Sequence, residues 1–203
     1  MFLRSALCLG VAAALAFIAE PSWAQKPEPT PAPAVKPDTV PTAPATARPG
    51  DPFGEDTTLT AKPIIYVKGT GNWDNAFETI TASFKTLKAY VDKQGLKADG
   101  QAMTIFTSTD DTGFQYEAAL PVAEAPKSPP SGDIAVGKSP EGHALKFVHR
   151  GSYDGLDNTY EAITNYLDEK KLEAKDLFIE QYVTDPLTVD EDHLVVNVFV
   201  LVK

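Results

Sequence analysis

Residues 144–186 read ALKFVHRGSYDGLDNTYEAITNYLDEKKLEAKDLFIEQYVTDP, and their spacing predicts a strand, a helix and a second strand. Leu145 and Phe147 share one face of the first strand, because successive side chains of a strand alternate in direction. Apolar residues then recur at three- and four-residue steps, which is typical of a helix with one buried face. They are Leu156, Tyr160, Ile163 and Leu167. Pro186 ends the second strand, since proline cannot donate a hydrogen bond to a ladder.

Glu180 lies in the second predicted strand, between Phe178 and Tyr182 on the same face. A carboxylate among aromatic side chains is partly removed from water, so its charge interacts more strongly with a cation. The faces of the aromatic rings add cation–π attraction. A second interpretation is open at this point, in which Glu180 is an exposed strand residue paired with Lys146 or Arg150.

The folded region contains two similar halves, at about residues 63–122 and 143–203, and a short strand is predicted between them at 134–136. Each half predicts a strand, a helix and two further strands. An Asn-x-x-Glu sequence begins each helix, at Asn75 and at Asn158, and predicts a capping box. Two such units pair into one antiparallel sheet with both helices on one face, which is an α+β fold. The groove between the units is a natural ligand site.

Residues 1–24 predict a secretory signal, because the apolar run at 6–19 is short for a membrane span and small residues precede Ala24. The alternative is an uncleaved N-terminal anchor. We expect the protein to attach to a membrane only through such an uncleaved segment. Residues 25–62 are rich in proline, alanine and threonine, which predicts a disordered tail that acts as an extended spacer or as a passive leader. We therefore expect a periplasmic or secreted protein, whose one cysteine, Cys8, belongs to the signal.

The charge of the chain and the spacing of its residues argue against several kinds of partner and site. A net charge of −10 and a pI of about 4.7, with no basic stripe, argue against a nucleic-acid partner. The three histidines, His143, His149 and His193, are scattered and lack the ligand spacing of a metal site. No glycine-rich phosphate loop is present. We therefore expect neither a metal nor a cofactor.

Several short motifs are similar to one known family, the gyrase-inhibitor-like small-molecule-binding domain. The same domain senses effectors in AraC-type and multidrug-sensing transcription activators. The matching motifs cover roughly residues 60–203 and keep the order found in the family. They are PSGD at 130–133, GSYDGL at 151–156, YLD at 166–168, IEQY at 179–182 and TDP at 184–186.

The resemblance implies that the chain binds a small hydrophobic, cationic molecule in the groove, with Glu180 as the charged anchor. The candidate ligand-binding residues are Glu180, Tyr182, Phe178, Tyr116, Trp73 and Tyr153. For Trp73, Tyr153 and Tyr116, simple packing is the alternative interpretation. The resemblance also leaves open an enzyme, a hydrolase of strained cyclopropane-bearing compounds, in which Glu180 polarises water and Tyr182 or Tyr116 donates a proton.

Overall fold

The computed structural model describes residue 48, residues 50–130 and residues 132–203. The signal predicted at residues 1–24 lies outside the described residues, as does the tail as far as residue 47. None of the helices in the described part of the chain is long and apolar enough to cross a membrane.

The described residues form eight strands and two α-helices. In chain order they are β1 Phe53–Leu59, β2 Pro63–Gly71, α1 Ala76–Gln94, β3 Met103–Thr109, β4 Phe114–Pro121, β5 Ile134–Lys138, β6 Gly142–Gly151, α2 Leu156–Lys170, β7 Ala174–Tyr182 and β8 Leu194–Val202. A short 3₁₀ turn leads into each α-helix, at Trp73–Asn75 and at Tyr153–Gly155. A third precedes β8, at Glu191–His193.

All eight strands belong to one antiparallel sheet, in the order β1-β6-β8-β7-β3-β4-β2-β5. The two predicted repeats are therefore confirmed as β2-α1-β3-β4 and β6-α2-β7-β8. They occupy mirrored places in the sheet and meet where β3 pairs with β7. At this seam Thr104 lies opposite Glu180, and Phe106 lies opposite Phe178.

The strand β1 corrects the sequence analysis, which placed residues 53–59 in the disordered tail. This strand pairs with β6 at the edge of the sheet, although it is polar along most of its length. Phe53 at its start packs edge-on against Phe147 and Tyr166, with ring centroids 5.1 and 5.7 Å apart. Backbone pairing and the Phe53 ring hold β1, so it lacks the alternation of apolar residues by which strands are predicted.

The two edge strands exchange partners between the halves. β1 precedes the first repeat but pairs with β6 of the second, and β5 precedes the second repeat but pairs with β2 of the first. A bidentate ion pair adds to this exchange: the Arg150 guanidinium donates to both carboxylate oxygens of Asp51, at 2.8 and 2.9 Å. This hydrogen bonding lowers the pKa of Asp51 to about 2. Each half is thereby held by a strand from the other.

The main core lies between one face of the sheet and the two helices, as predicted. Its helical members are buried residues of both α1 and α2, spaced at three- and four-residue steps. A smaller buried cluster lies on the opposite face of the sheet. Its members are Ile64, Met103, Ile105, Ala119, Ala144, Ile179, Phe199 and Leu201.

The predicted capping boxes are wrong. α2 begins at Leu156, which places Asn158 inside the helix rather than before it. Asn75 occupies the N-cap position of α1 but makes no side-chain cap bond. The Asn72 side chain instead accepts a hydrogen bond from the Asn75 amide, which caps the short 3₁₀ turn. The cap therefore lies one short turn earlier than the sequence pattern suggests.

We expect the change Gly54→Ala to destabilise the protein by about 2 kcal/mol, because β1 packs closely on α2. Gly54 has a φ of +76°, and a Cβ there would lie 2.3 Å from the Tyr166 ring. Gly50→Ala is the matched control, since Gly50 has a φ of +95° and no atom within 4 Å of its Cβ position. Urea unfolding of both variants measures the difference. Equal losses would show that the contact between β1 and α2 contributes nothing.

Candidate functional site

A cavity of about 680 Å³ opens where the starts of both helices face the seam between β3 and β7. The seam contributes Phe106, Phe178 and Glu180. The helix starts contribute Trp73 and Ala76 from the first repeat, and Tyr153, Leu156 and Tyr160 from the second. Exposed residues line its opening: Thr109, Asp110, Asp111, Asp154 and Asp157. A cavity of this volume suits a small organic molecule.

Aromatic rings form most of the inner surface of the cavity. Trp73 stacks on Phe106 with centroids 6.3 Å apart, and its Nε1 donates a 2.8 Å hydrogen bond to the Asp110 carbonyl oxygen. Tyr160 meets Phe178 edge-on at 5.9 Å. Trp73 is 43% exposed, so its ring is accessible to a ligand. These contacts fix flat apolar surfaces on two sides of the cavity.

Three tyrosine hydroxyls hold the carboxylate of Glu180. Tyr160 donates to Oε1 at 2.9 Å, whereas Tyr182 and Tyr153 donate to Oε2 at 2.9 and 3.2 Å. The Glu180 side chain lines the cavity but is only 1% exposed. The three donors come from β7 and from the start of α2, which therefore enclose the acid together.

Burial raises the pKa of Glu180 to about 7, and the tyrosine hydrogen bonds oppose that rise. Desolvation disfavours the charged form, while each hydroxyl donor stabilises it. Burial also raises the pKa of Tyr153, Tyr160 and Tyr182 well above the ordinary value of 10, and the nearby Glu180 charge adds to the effect. The three tyrosines therefore remain protonated donors at neutral pH, beside an acid that titrates there.

Four aspartates surround the opening and give it an uncompensated negative charge. Asp110 and Asp111 belong to the turn after β3, and Asp154 and Asp157 to the start of α2. Hydrogen bonds from Thr112 and Gly113 lower the pKa of Asp110. No lysine, arginine or histidine is among the described residues that line the cavity. Within the described part of the chain, none of the four forms an ion pair.

The structure brings four of the six predicted residues to the cavity, namely Glu180, Phe178, Trp73 and Tyr153. Tyr182 lies behind the acid: its hydroxyl reaches Glu180, while its ring meets Phe84 and faces a second cavity of about 300 Å³. Glu180 is not an exposed partner of Lys146 or Arg150. Those cations lie near Glu55 and Asp51 instead.

Tyr116 does not belong to this cavity, which corrects the sequence analysis. Its hydroxyl lies 2.9 Å from the Ser83 hydroxyl and 3.3 Å from the Thr79 carbonyl oxygen, so the side chain packs beneath α1. Tyr116 lies opposite Phe106, on the face of the sheet that carries the cavity, but α1 covers it there. The packing interpretation of Tyr116 is the one that its contacts support.

Tyr160, Phe106 and the four aspartates are cavity residues that the sequence analysis did not name. Tyr160 had been placed on the apolar stripe of α2, where a tyrosine indicates packing as readily as binding. Phe106 faces the site only because it lies opposite Phe178 in the register of the seam. Within the described residues, no group of three or more side chains has the composition of a metal site.

Glu180 has no counterpart of its own kind in the first repeat. Thr104 lies directly opposite it across the seam, in the mirrored position. Thr104 is fully buried and influences the pKa of Tyr182, yet its hydroxyl forms no hydrogen bond of good geometry with the described residues. The duplication of the fold therefore does not extend to the acid.

We expect folding stability to vary with pH through Glu180. Because its pKa rises from 4.5 to about 7 on folding, its stabilising contribution is full below about pH 4.5 and is lost as the pH rises through 7. Relative to Glu180→Gln, the wild type should lose about 3 kcal/mol over that range. Urea unfolding of both proteins at a series of pH values measures this. A difference between them that is constant with pH would contradict the raised pKa.

Comparison with known structures finds the same fold in other proteins. A crystal structure of the EcmrR C-terminal domain is 14% identical, with a TM-score of 0.59 over 73% of this chain and 96% of that one. In the EcmrR–DNA complex, the match has a TM-score of 0.64 at 15% identity, and the chain spans 56% of that longer protein. SAV2435 bound to tetraphenylphosphonium is 16% identical, with a TM-score of 0.50 over 73% of this chain and 93% of that one.

Such low identities show the fold alone. No protein in a search of curated sequences matches this chain. A family model, however, matches residues 57–203, which include the whole sheet after the middle of β1, both helices and the cavity. The chain belongs to the family of the GyrI-like small molecule binding domain.

Proposed function

We propose that the cavity binds a hydrophobic organic cation, with Glu180 as the charged anchor. The observation that carries this proposal is a buried carboxylate in an aromatic cavity, where none of the described lining residues is a cation that would balance it. The ligand cation would supply the missing charge. SAV2435, which shares the fold, was solved with tetraphenylphosphonium, a cation that carries aromatic rings, and this supports the same class of ligand here.

The electrostatics of the cavity favour a cation over a neutral molecule. A carboxylate that is 1% exposed has lost most of its hydration, so its attraction for a nearby positive charge is stronger than it would be in water. The Trp73, Phe106 and Phe178 rings offer faces to the same charge, which adds cation–π attraction. The aspartates at the opening add a negative potential that draws cations toward it.

We expect tetraphenylphosphonium to bind the wild type and to bind Glu180→Gln at least tenfold more weakly, because the variant keeps the shape of the side chain but removes its charge. Isothermal titration calorimetry at about pH 8 measures both affinities. Glu173→Gln is the matched control, since Glu173 is an exposed residue that pairs with Lys203 away from the cavity.

The pH dependence of binding provides an internal check on this experiment. Because only ionised Glu180 attracts the cation, affinity for the wild type should fall by up to tenfold per pH unit below about 7 and level off above it. The Glu180→Gln variant should show no such dependence. If it binds tetraphenylphosphonium as tightly as the wild type does, Glu180 is not the anchor.

A hydrolase is the second candidate, and one observation favours it. Glu180 and the Tyr160 hydroxyl both line the cavity, and an acid whose pKa lies near 7 suits a general base. Neither Tyr116 nor Tyr182 lines the cavity, so Tyr160 would donate the proton. Mass spectrometry of a cyclopropane-bearing compound after incubation with the wild type and with Glu180→Gln distinguishes turnover from simple binding.

We also propose that binding takes place outside the cytoplasm, in the periplasm or after secretion. The signal-like sequence at residues 1–24 and the proline-rich segment after it support this. N-terminal sequencing of the protein recovered from a periplasmic fraction should give Gln25 as the first residue. Recovery of the chain in the cytoplasm with Met1 intact would overturn the proposal.

A further inference from the structure

We infer that the preferred ligand is a tertiary ammonium, which carries a single N–H donor, rather than a quaternary cation. This inference rests on the proposed function and concerns the hydrogen-bonding capacity of the anchor. A carboxylate has about four lone-pair positions, two on each oxygen. Oε2 of Glu180 accepts from both Tyr153 and Tyr182, whereas Oε1 accepts only from Tyr160 among the described residues. One acceptor position of the anchor therefore stays open.

The open position lies on Oε1, whose donor lines the cavity. Tyr160, the donor to Oε1, lines the cavity together with Glu180. Of the two donors to Oε2, Tyr153 also lines the cavity and Tyr182 does not. Oε2 already accepts two hydrogen bonds, so a donor that enters the cavity finds its free acceptor on Oε1, beside the Tyr160 hydroxyl. Because Glu180 is almost wholly buried, an acceptor left without a donor there is costly.

The number of open positions selects among cations of equal charge. A protonated amine donates a short, charge-assisted hydrogen bond to Oε1. A quaternary ammonium or phosphonium has no hydrogen to donate, so it attracts the anchor by charge alone and leaves the acceptor open. A primary ammonium has three donors, two of which would be left among the aromatic rings without acceptors. One open position therefore matches one N–H.

Three compounds with the same 3,3-diphenylpropyl group test this inference: the primary amine, the dimethyl tertiary amine and the trimethyl quaternary ammonium. At about pH 8 all three are cations and Glu180 is ionised. Calorimetry should find that the tertiary amine binds about tenfold more tightly than either of the others. In Glu180→Gln the advantage of the tertiary amine over the quaternary ammonium should disappear. Quaternary binding equal to or tighter than tertiary binding would overturn the inference.

The variant Tyr160→Phe gives a readout that a purely structural role would not move. Removing that hydroxyl opens a second acceptor position on Oε1. The order of affinities should then shift toward the primary amine, which has more donors to offer. An unchanged order would also overturn the inference.

The two proposals fail separately. If Glu180→Gln weakens all three cations equally, Glu180 remains the anchor and only the choice of a tertiary ammonium is wrong. If the change weakens none of them, the proposed function is wrong as well.

Discussion

The antiparallel pairing of β3 with β7 is the contact on which the rest of the structure depends. It joins the two halves of the sheet, and its register sets Glu180 opposite Thr104 and Phe106 opposite Phe178. Since the side-chain period of a strand is two residues, a slip of one residue would turn the acid to the other face. The position and orientation of Glu180 are thus set by the register of these two central strands.

The helices and the edge strands both support the seam between the two halves. The starts of α1 and α2 lie over it and bring Trp73, Tyr153 and Tyr160 to the acid. A buried carboxylate is tolerated only when several donors share its charge, and two of the three hydroxyls come from the start of α2. The exchange of β1 and β5 joins the two repeats, whereas Glu180 and its three tyrosine donors all belong to the second repeat.

Much of the fold follows from the sequence, because the duplicated order of strands and helix specifies one sheet and one helical face. Glu180 was identifiable for a local reason, since an acid between Phe178 and Tyr182 breaks the apolar pattern of its strand. Phe106 and Tyr116 were not assignable in this way. Strand register and the position of α1 decide which of these two side chains points into the cavity. Neither can be recognised in the local sequence.

The strand β1 escaped prediction for a different reason. Its side chains are mostly polar, and what holds it is backbone pairing with β6, the Phe53 ring and the close approach of Gly54 to Tyr166. None of these contacts produces an alternating pattern. An edge strand of this kind can be recognised only from the strand with which it pairs. The predicted start of the folded region therefore lay several residues too late in the chain.

Glu180 lies opposite a threonine, Thr104, rather than opposite a second acid. This asymmetry has a consequence for how a ligand would be held. A groove built from two equivalent halves would accept an elongated ligand equally well in two opposite orientations, related by the twofold symmetry of the halves. Under the proposed binding mode, the single acid distinguishes the two poses, because only one of them brings the positive end of the ligand to Glu180. An asymmetric ligand would then be held in one direction.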